Sequence, residues 1–182
     1  MIQNNVRKGV VLITDFSGFT EFLFSTQIYT GEYIVRELLL TIIKANNGYF
    51  YISEIEGDAV LFYKLRKNPS YQDTVEVIKR MQIAFDEKIS ELSVNLDTKI
   101  EMSLKFIVHY GEFSNYSIKK FGKLYSKAIV ETHQLLKNTF AEYSSYTFFS
   151  NPFLESVVDG VYSMSKVSKL VPGMGMIYYQ DL

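Results

Sequence analysis

Val10-Val11-Leu12-Ile13-Thr14-Asp15-Phe16-Ser17-Gly18-Phe19-Thr20 is the stretch on which the fold turns. Val10 to Ile13 is a continuous apolar run, the pattern of a strand buried on both faces. It ends in Thr14 and Asp15, and Phe16 to Thr20 reads as a turn through Gly18. A carboxylate that leaves a buried strand for such a turn can hold a hard cation. The turn's N–H groups can meanwhile point at a phosphate. Taken alone, Asp15 is better explained as a strand-end residue making a local turn bond.

Working outward, Tyr33, Ile34, Glu37, Leu38, Thr41 and Ile42 recur at helical spacing, predicting a helix from Glu32 to about Asn46 capped by Gly48. Tyr49 to Ile55 and Ala59 to Tyr63 read as strands joined by the hairpin tip Glu56-Gly57-Asp58. Pro69 breaks the chain before an amphipathic helix from Tyr71 to about Leu92. From Lys99 to Tyr110 the pattern alternates. Ile100, Met102, Leu104, Phe106 and Val108 point one way, and Glu101, Ser103, Lys105 and His109 the other. Gly111 reads as a turn with Phe113 to Lys119 as its partner strand. A helix over Ile129 to Phe140, a strand over Tyr146 to Phe149, a turn or short helix at Pro152 and a strand over Met174 to Tyr179 follow.

This order predicts an α+β fold with a ferredoxin-like βαββαβ core, a mostly antiparallel sheet and helices on one face. The 182 residues predict a single domain over 1–182. With 47% hydrophobic and 21% charged residues the composition is that of an ordinary globular chain. The net charge of -1 speaks against DNA or RNA as a partner. Lys64, Arg66 and Lys67, beside Asn68 and Pro69, read as a solvated loop. With no cysteine, disulfides, thiol nucleophiles and Cys-based zinc sites are excluded. No segment has the roughly 18 apolar residues of a spanning helix, and Met1 to Lys8 does not open a signal peptide. A cytoplasmic protein without membrane attachment is expected. The 14 Tyr and 14 Phe suit a core or an interface.

Asp15 and Asp58, if they end adjacent strands, can together hold two divalent metals. In an in-line displacement at phosphorus one metal activates the attacking oxygen and the other neutralises the leaving phosphates. In combination the motifs resemble the catalytic domain of class III adenylyl and guanylyl cyclases. Asp15-Phe16-Ser17-Gly18-Phe19-Thr20 is similar to that family's Asp-hydrophobic-x-Gly-Phe-Thr motif. Gly48 to Phe62, with Glu56-Gly57-Asp58-Ala59, is similar to its Gly-Asp hairpin, and the helix ending in Asn47-Gly48 to its second helix. Val108-His109-Tyr110-Gly111-Glu112 resembles its strand ending in a glycine. The resemblance runs over about residues 8 to 150. It implies that Asp15, Asp58 and the Phe16 carbonyl hold Mg or Mn. It also implies that Ser17, Gly18, Phe19, Thr20 and Gly57 belong to a nucleotide site, and that the protein is a homodimer with sites shared across the interface.

Base choice in the family is set partly four residues before the second Asp, here at Glu54. A carboxylate accepts from the N1–H and exocyclic amine of guanine and faces the acceptor N1 of adenine badly, so the implied ligand is a purine nucleotide with guanine favoured. Strict alternation puts Glu54 and Glu56 on the face of Phe50 and Ile52, where an exposed charge accounts for Glu54 as well. The second base position falls near Lys123. The family also carries an Asn and, four residues later, an Arg on one helix; the corresponding positions are Val130 and Gln134. Val cannot hydrogen-bond a ribose, and Gln brings no charge to a pentacovalent phosphorus. Lys127, His133 and Lys137 are near on the helix, with His133 alone able to reach from an adjacent face, and Lys169 is the candidate for a late phosphate lysine. The metal half of the site is kept and the transition-state half is missing, as in cyclase-like bacterial proteins of uncharacterised function. The expected function is a dimeric regulatory or sensing domain without standard cyclase activity. The alternatives are an atypical cyclase or other two-metal phosphoryl-transfer enzyme, and a protein-interaction scaffold with no nucleotide site.

Overall fold

The computed structural model describes residues 6–137, 145–159, 168–171 and 175–180, with side chains up to 159 apart from Asn115 and Phe121. In chain order the elements are β1 (Arg7–Ser17), α1 (Phe19–Ser25), α2 (Ile28–Asn46), β2 (Tyr51–Glu56), β3 (Ala59–Lys64), α3 (Tyr71–Asn95), β4 (Ser103–Ile118), β5 (Phe121–Tyr125), α4 (Lys127–Leu136), β6 (Tyr146–Ser150), α5 (Asn151–Ser156), β7 (Ser168–Val171) and β8 (Gly175–Gln180). The predicted residues 138–140 and Met174 lie outside the described stretches.

One sheet runs in the order β2-β3-β1-β4-β6-β8-β7, and β5 pairs with the far end of β4. Only β4 and β6 are parallel; the other pairs are antiparallel. The first four strands with α2 and α3 form the βαββαβ unit, and the α+β expectation holds. Because β1 lies inside the sheet, both its faces are covered. Val10, Leu12 and Phe16 pack with Ile34, Leu38 and Ile42 of α2 and with Ile78, Met81 and Phe85 of α3. Val11 and Ile13 pack on the other face with Leu61, Phe113 and Ala128. Ala128 belongs to α4, so the helices lie mainly on one face with α4 on the opposite one.

Three local differences from the sequence-based expectation have physical causes. β1 runs on through Phe16 and Ser17, and α2 starts at Ile28 after the additional helix α1. The chain reverses at Gly18 alone, at φ 82. Gly111 makes no turn, because β4 passes straight through it and reverses near Lys119, φ 55, so that β5 is the partner strand. Gly111 is needed instead for close approach: a Cβ there would sit 2.7 Å from the Cβ of Ala128. Finally, the β2–β3 register shifts between Ile52 and Glu54, pairing Ile52 with Phe62 but Glu54 with Leu61. This bulge at Ser53 puts Glu54 on the face opposite Ile52, against the expectation from strict alternation.

Two caps fix the helices around the core. Asn46 bonds both the N–H and the C=O of Phe50 at 2.9 and 2.8 Å, tying the end of α2 to β2. The Asp159 carboxylate accepts from Ser70 Oγ and from the Tyr71 and Gln72 amides at 2.7, 2.7 and 3.0 Å, closing the start of α3. An acceptor there neutralises donors that the helix itself leaves unpaired.

Gly111→Ala is expected to destabilise the protein by about 1–3 kcal/mol through overpacking. Adding Ala128→Gly should recover part of that loss beyond its own cost as a helix glycine. Urea unfolding of the two single variants and the double variant measures the coupling; strict additivity would contradict the close approach.

Candidate functional site

The strand register assembles the site. Asp15 lies opposite Lys105 across β1 and β4. Thr14 lies opposite Val60 across β1 and β3. Asp58, two residues before Val60, therefore comes beside Phe16, whose backbone N–H donates to the Asp58 carboxylate. Asp58 also accepts its own N–H. The two carboxylates singled out in the sequence are thus neighbours at one end of β1. The Lys105 ammonium stands 3.9 Å from Asp15 Oδ2, with Lys105 and Asp15 side chains only 22% and 21% exposed.

Burial, and then the charge of Asp58, push the Asp15 carboxyl up to about 6, against the pull of Lys105. Burial also raises Asp58, opposed by the two amides and by Lys105. Like-charged carboxylates crowded in this way bind a cation favourably, because the cation removes the repulsion. Among the described residues no group of three or more His, Cys, Asp or Glu converges anywhere. Two carboxylates and a main-chain carbonyl are hard oxygen donors, and Mg takes its remaining ligands from water and substrate phosphates. The donor set therefore fits Mg or Mn bound together with a phosphate ligand.

Beside the carboxylates, Gly18 lies at the left-handed φ and caps α1, with no side chain capping the first turn. A Cβ on Gly18 would be 2.5 Å from the Glu101 carbonyl oxygen. Ser17 ends β1 opposite Ser103, Phe19 packs against the core, and Thr20 is exposed. Gly57, φ 61, has open space around it at the hairpin tip.

Glu54 and Lys123 meet at 3.3 Å although 69 residues separate them. Lys123 also lines a cleft of about 310 Å³ with Ser53, Tyr63, Tyr116 and Leu124. On α4, Val130 is 55% exposed and Gln134 is also exposed. The helix is anchored from beneath. Ser150 Oγ accepts the Phe153 N–H at 3.4 Å, and because Glu131 takes the Nε2–H of a neutral His109, the Ser150 hydroxyl donates to Nδ1 at 2.7 Å. His109 Nε2–H then donates to Glu131 at 2.9 Å, and Lys127 stands 3.5 Å from the same carboxylate. Burial lowers the His109 pKa, with Glu131 opposing. Sequence reasoning missed Lys105 and this His109 chain. Alternation had put Lys105 and His109 on one face, but only the register shows that Asp15 shares it. Lys169 lies in β7, where side chains are not described.

An aspartic acid raised in the folded state is stabilising to the fold only while protonated. Its ionisation weakens the fold as pH climbs from the unfolded value near 3.8 through about 6. In metal-free buffer Asp15→Asn should therefore leave stability unchanged near pH 4. Above pH 6 it should raise stability by up to about 3 kcal/mol, the equivalent of two pKa units. Chemical denaturation of both proteins across that range reads the difference, and a destabilised variant at pH 7.5 would contradict the crowded-carboxylate account.

Comparison with curated proteins by sequence gives no match. Solved structures do match in fold. The guanylyl cyclase Cya2 superposes with a TM-score of 0.72 at 17% identity, over 96% of this chain and 92% of its own. The adenylyl cyclase CyaB from P. aeruginosa gives 0.69 at 17% identity, over 98% and 96%. A class III adenylyl cyclase-like ATP-binding protein from Pseudomonas aeruginosa gives 0.65 at 11% identity, over 85% of this chain and 35% of its own. The fold is that of the class III cyclase catalytic domains. Residues 35–146, more than half of the chain, match the family model described as "Protein of unknown function (DUF2652)". The chain belongs to the DUF2652 family.

Proposed function

We propose that this chain is a single cyclase-like domain that binds a purine nucleotide together with Mg or Mn and acts as a homodimeric regulatory or sensing domain, without standard cyclase activity. The observation that carries this function is the pairing of Asp15 with Asp58 at the end of β1, beside the Gly18 turn. A metal bound there would neutralise phosphate charge. Asp15, Asp58 and the Phe16 carbonyl would hold it. The amides of Ser17, Gly18, Phe19 and Thr20, with Gly57, would receive the phosphates. Lys105 would add a fixed positive charge close by.

Glu54 and Lys123 support a guanine preference. A carboxylate facing ring positions 1 and 2 accepts from N1–H and the amine, while the ammonium donates to O6. The opposite orientation of the same pair would serve adenine, so both bases belong in the test. Val130 and Gln134 favour binding over turnover, since neither supplies charge where an in-line displacement develops it. Homodimerisation is supported by Tyr116, Ile118, Tyr125 and Val130, which are 47%, 58%, 71% and 55% exposed on the β4–β5 arm and α4. No helix among the described residues is long and apolar enough to cross a membrane.

Calorimetric titration with non-hydrolysable GTP and ATP analogues, with and without Mn²⁺, should show metal-dependent binding that prefers guanine. Asp58→Ala should weaken it at least tenfold, with no cyclic product from GTP. Metal-independent or absent binding would leave the scaffold alternative, and cyclic product lost in Asp58→Ala would make the protein an enzyme.

A further inference from the structure

We propose that the protein carries a separate anion site at the other end of β1 from Asp15, a cleft between the start of β1 and the loop after β3 that takes a phosphomonoester group. The pairing of β1 with β3 begins only at Val10, opposite Lys64, whereas β1 itself starts at Arg7. β3 therefore stops short. The gap beside the first residues of β1 is a cleft of about 430 Å³ lined by Val6, Arg7, Lys8, Leu65 and Lys67. That volume lies in the range of small-molecule sites. Arg7 and Asp15 lie on one strand, about 26 Å apart at the rise of an extended chain, so the cleft and the carboxylate site do not overlap.

The basic stretch after β3 reads in the sequence as a solvated loop, but its backbone is pinned. Gly9 lets it cross close to β1: a Cβ there would sit 2.5 Å from the Lys64 carbonyl oxygen and 2.9 Å from the Leu65 Cα. The Tyr110 hydroxyl donates to the Lys67 carbonyl, and the Val158 N–H donates to that of Pro69 at 3.2 Å. Cations carried on a fixed backbone lose less freedom when an anion binds. Their charge is also largely unspent. Among the described residues no carboxylate pairs with Arg7 or Lys67, and Lys8 has only Glu112, at 3.9 Å with both side chains more than half exposed. Lys64, by contrast, is used by the fold: its ammonium donates to the Tyr49 carbonyl at 3.0 Å and lies 3.3 Å from the Tyr49 ring centre. The charges of Arg7, Lys8 and Lys67, less that of Glu112, leave a surplus of two, and a phosphomonoester carries about −1.5 to −2 at pH 7. A carboxylate would leave positive charge uncompensated, and a triphosphate would bring an excess of negative charge. The Arg7 guanidinium can bond two phosphate oxygens at once, with the lysines as point charges. Val6 and Leu65 offer an apolar wall to the carbon side of the ester.

Calorimetric titration of the metal-free full chain with glycerol phosphate reads the site. Wild type is expected to bind one equivalent that acetate does not displace. Arg7→Gln and Lys67→Gln should each weaken binding by about fivefold or more. Arg66→Gln removes a charge from the same loop but not from the lining of the cleft, and should change binding by less than about twofold. Asp58→Ala should bind as wild type does. Equal losses in all three basic variants would reveal a diffuse positive surface and overturn the inference. So would no binding by wild type, or binding lost in Asp58→Ala, which would place the phosphate at the carboxylate site instead. Sedimentation with phosphatidylcholine vesicles, with and without phosphatidic acid, identifies the source of the phosphoryl group. Tighter binding to the phosphatidic acid vesicles than to glycerol phosphate, lost in Arg7→Gln, supports the site with a lipid headgroup as its ligand; vesicle binding no tighter than that of glycerol phosphate supports it with a soluble phosphomonoester.

Discussion

The pairing of β1 with its neighbours is the constraint on which the rest of the molecule depends. Every residue from Arg7 to Ser17 is matched to β4, and Val10 to Thr14 are matched to β3 as well. With apolar residues on both faces, the strand has no tolerable slip. A one-residue shift would carry the Asp15 carboxylate into the layer of Ile34, Leu38 and Phe85 and move Phe16 out of it. Burying a charge without partners is far costlier than the loss of one apolar contact. The same register that fills the core therefore fixes which groups meet at its end.

The polar residues on the α4 side of the sheet show two ways of surviving there. His109, 3% exposed, is fully engaged by Ser150 and Glu131. Its hydrogen bonds join β4, β6 and α4, so it belongs to the architecture. Asp15, on the same face, faces a second carboxylate and a lysine too far away for a short hydrogen bond. A fold keeps such crowding only where the surrounding structure imposes it, and strongly perturbed carboxylates cluster at functional sites. The contrast separates framework from site more sharply than burial alone.

The solved cyclases share the fold at 17% identity or less in the comparisons above, and shared fold does not carry chemistry with it. α4 makes the point within one helix. Its inner side is constrained by Ala128 against Gly111 and by Thr132 bonding the Ala128 carbonyl. Its outer positions, Val130 and Gln134, are exposed and take no part in those two contacts.

The sequence by itself determined the architecture and the two carboxylates. The apolar run before Asp15, the Gly57-Asp58 hairpin and the helical spacing of α2 and α3 are local patterns, and local patterns are written in neighbouring residues. It did not reveal α1, the straight course of β4 through Gly111, or the bulge at Ser53. Each of these is set by contacts with distant parts of the chain: the Glu101 carbonyl over Gly18, Ala128 over Gly111, and the Leu61 pairing that turns Glu54. Only the tertiary structure decided that Lys105 stands against Asp15 and Lys123 against Glu54. The physical reason is that period-two alternation assigns a residue to a face, whereas its partner on that face is fixed by the hydrogen-bonded register between strands.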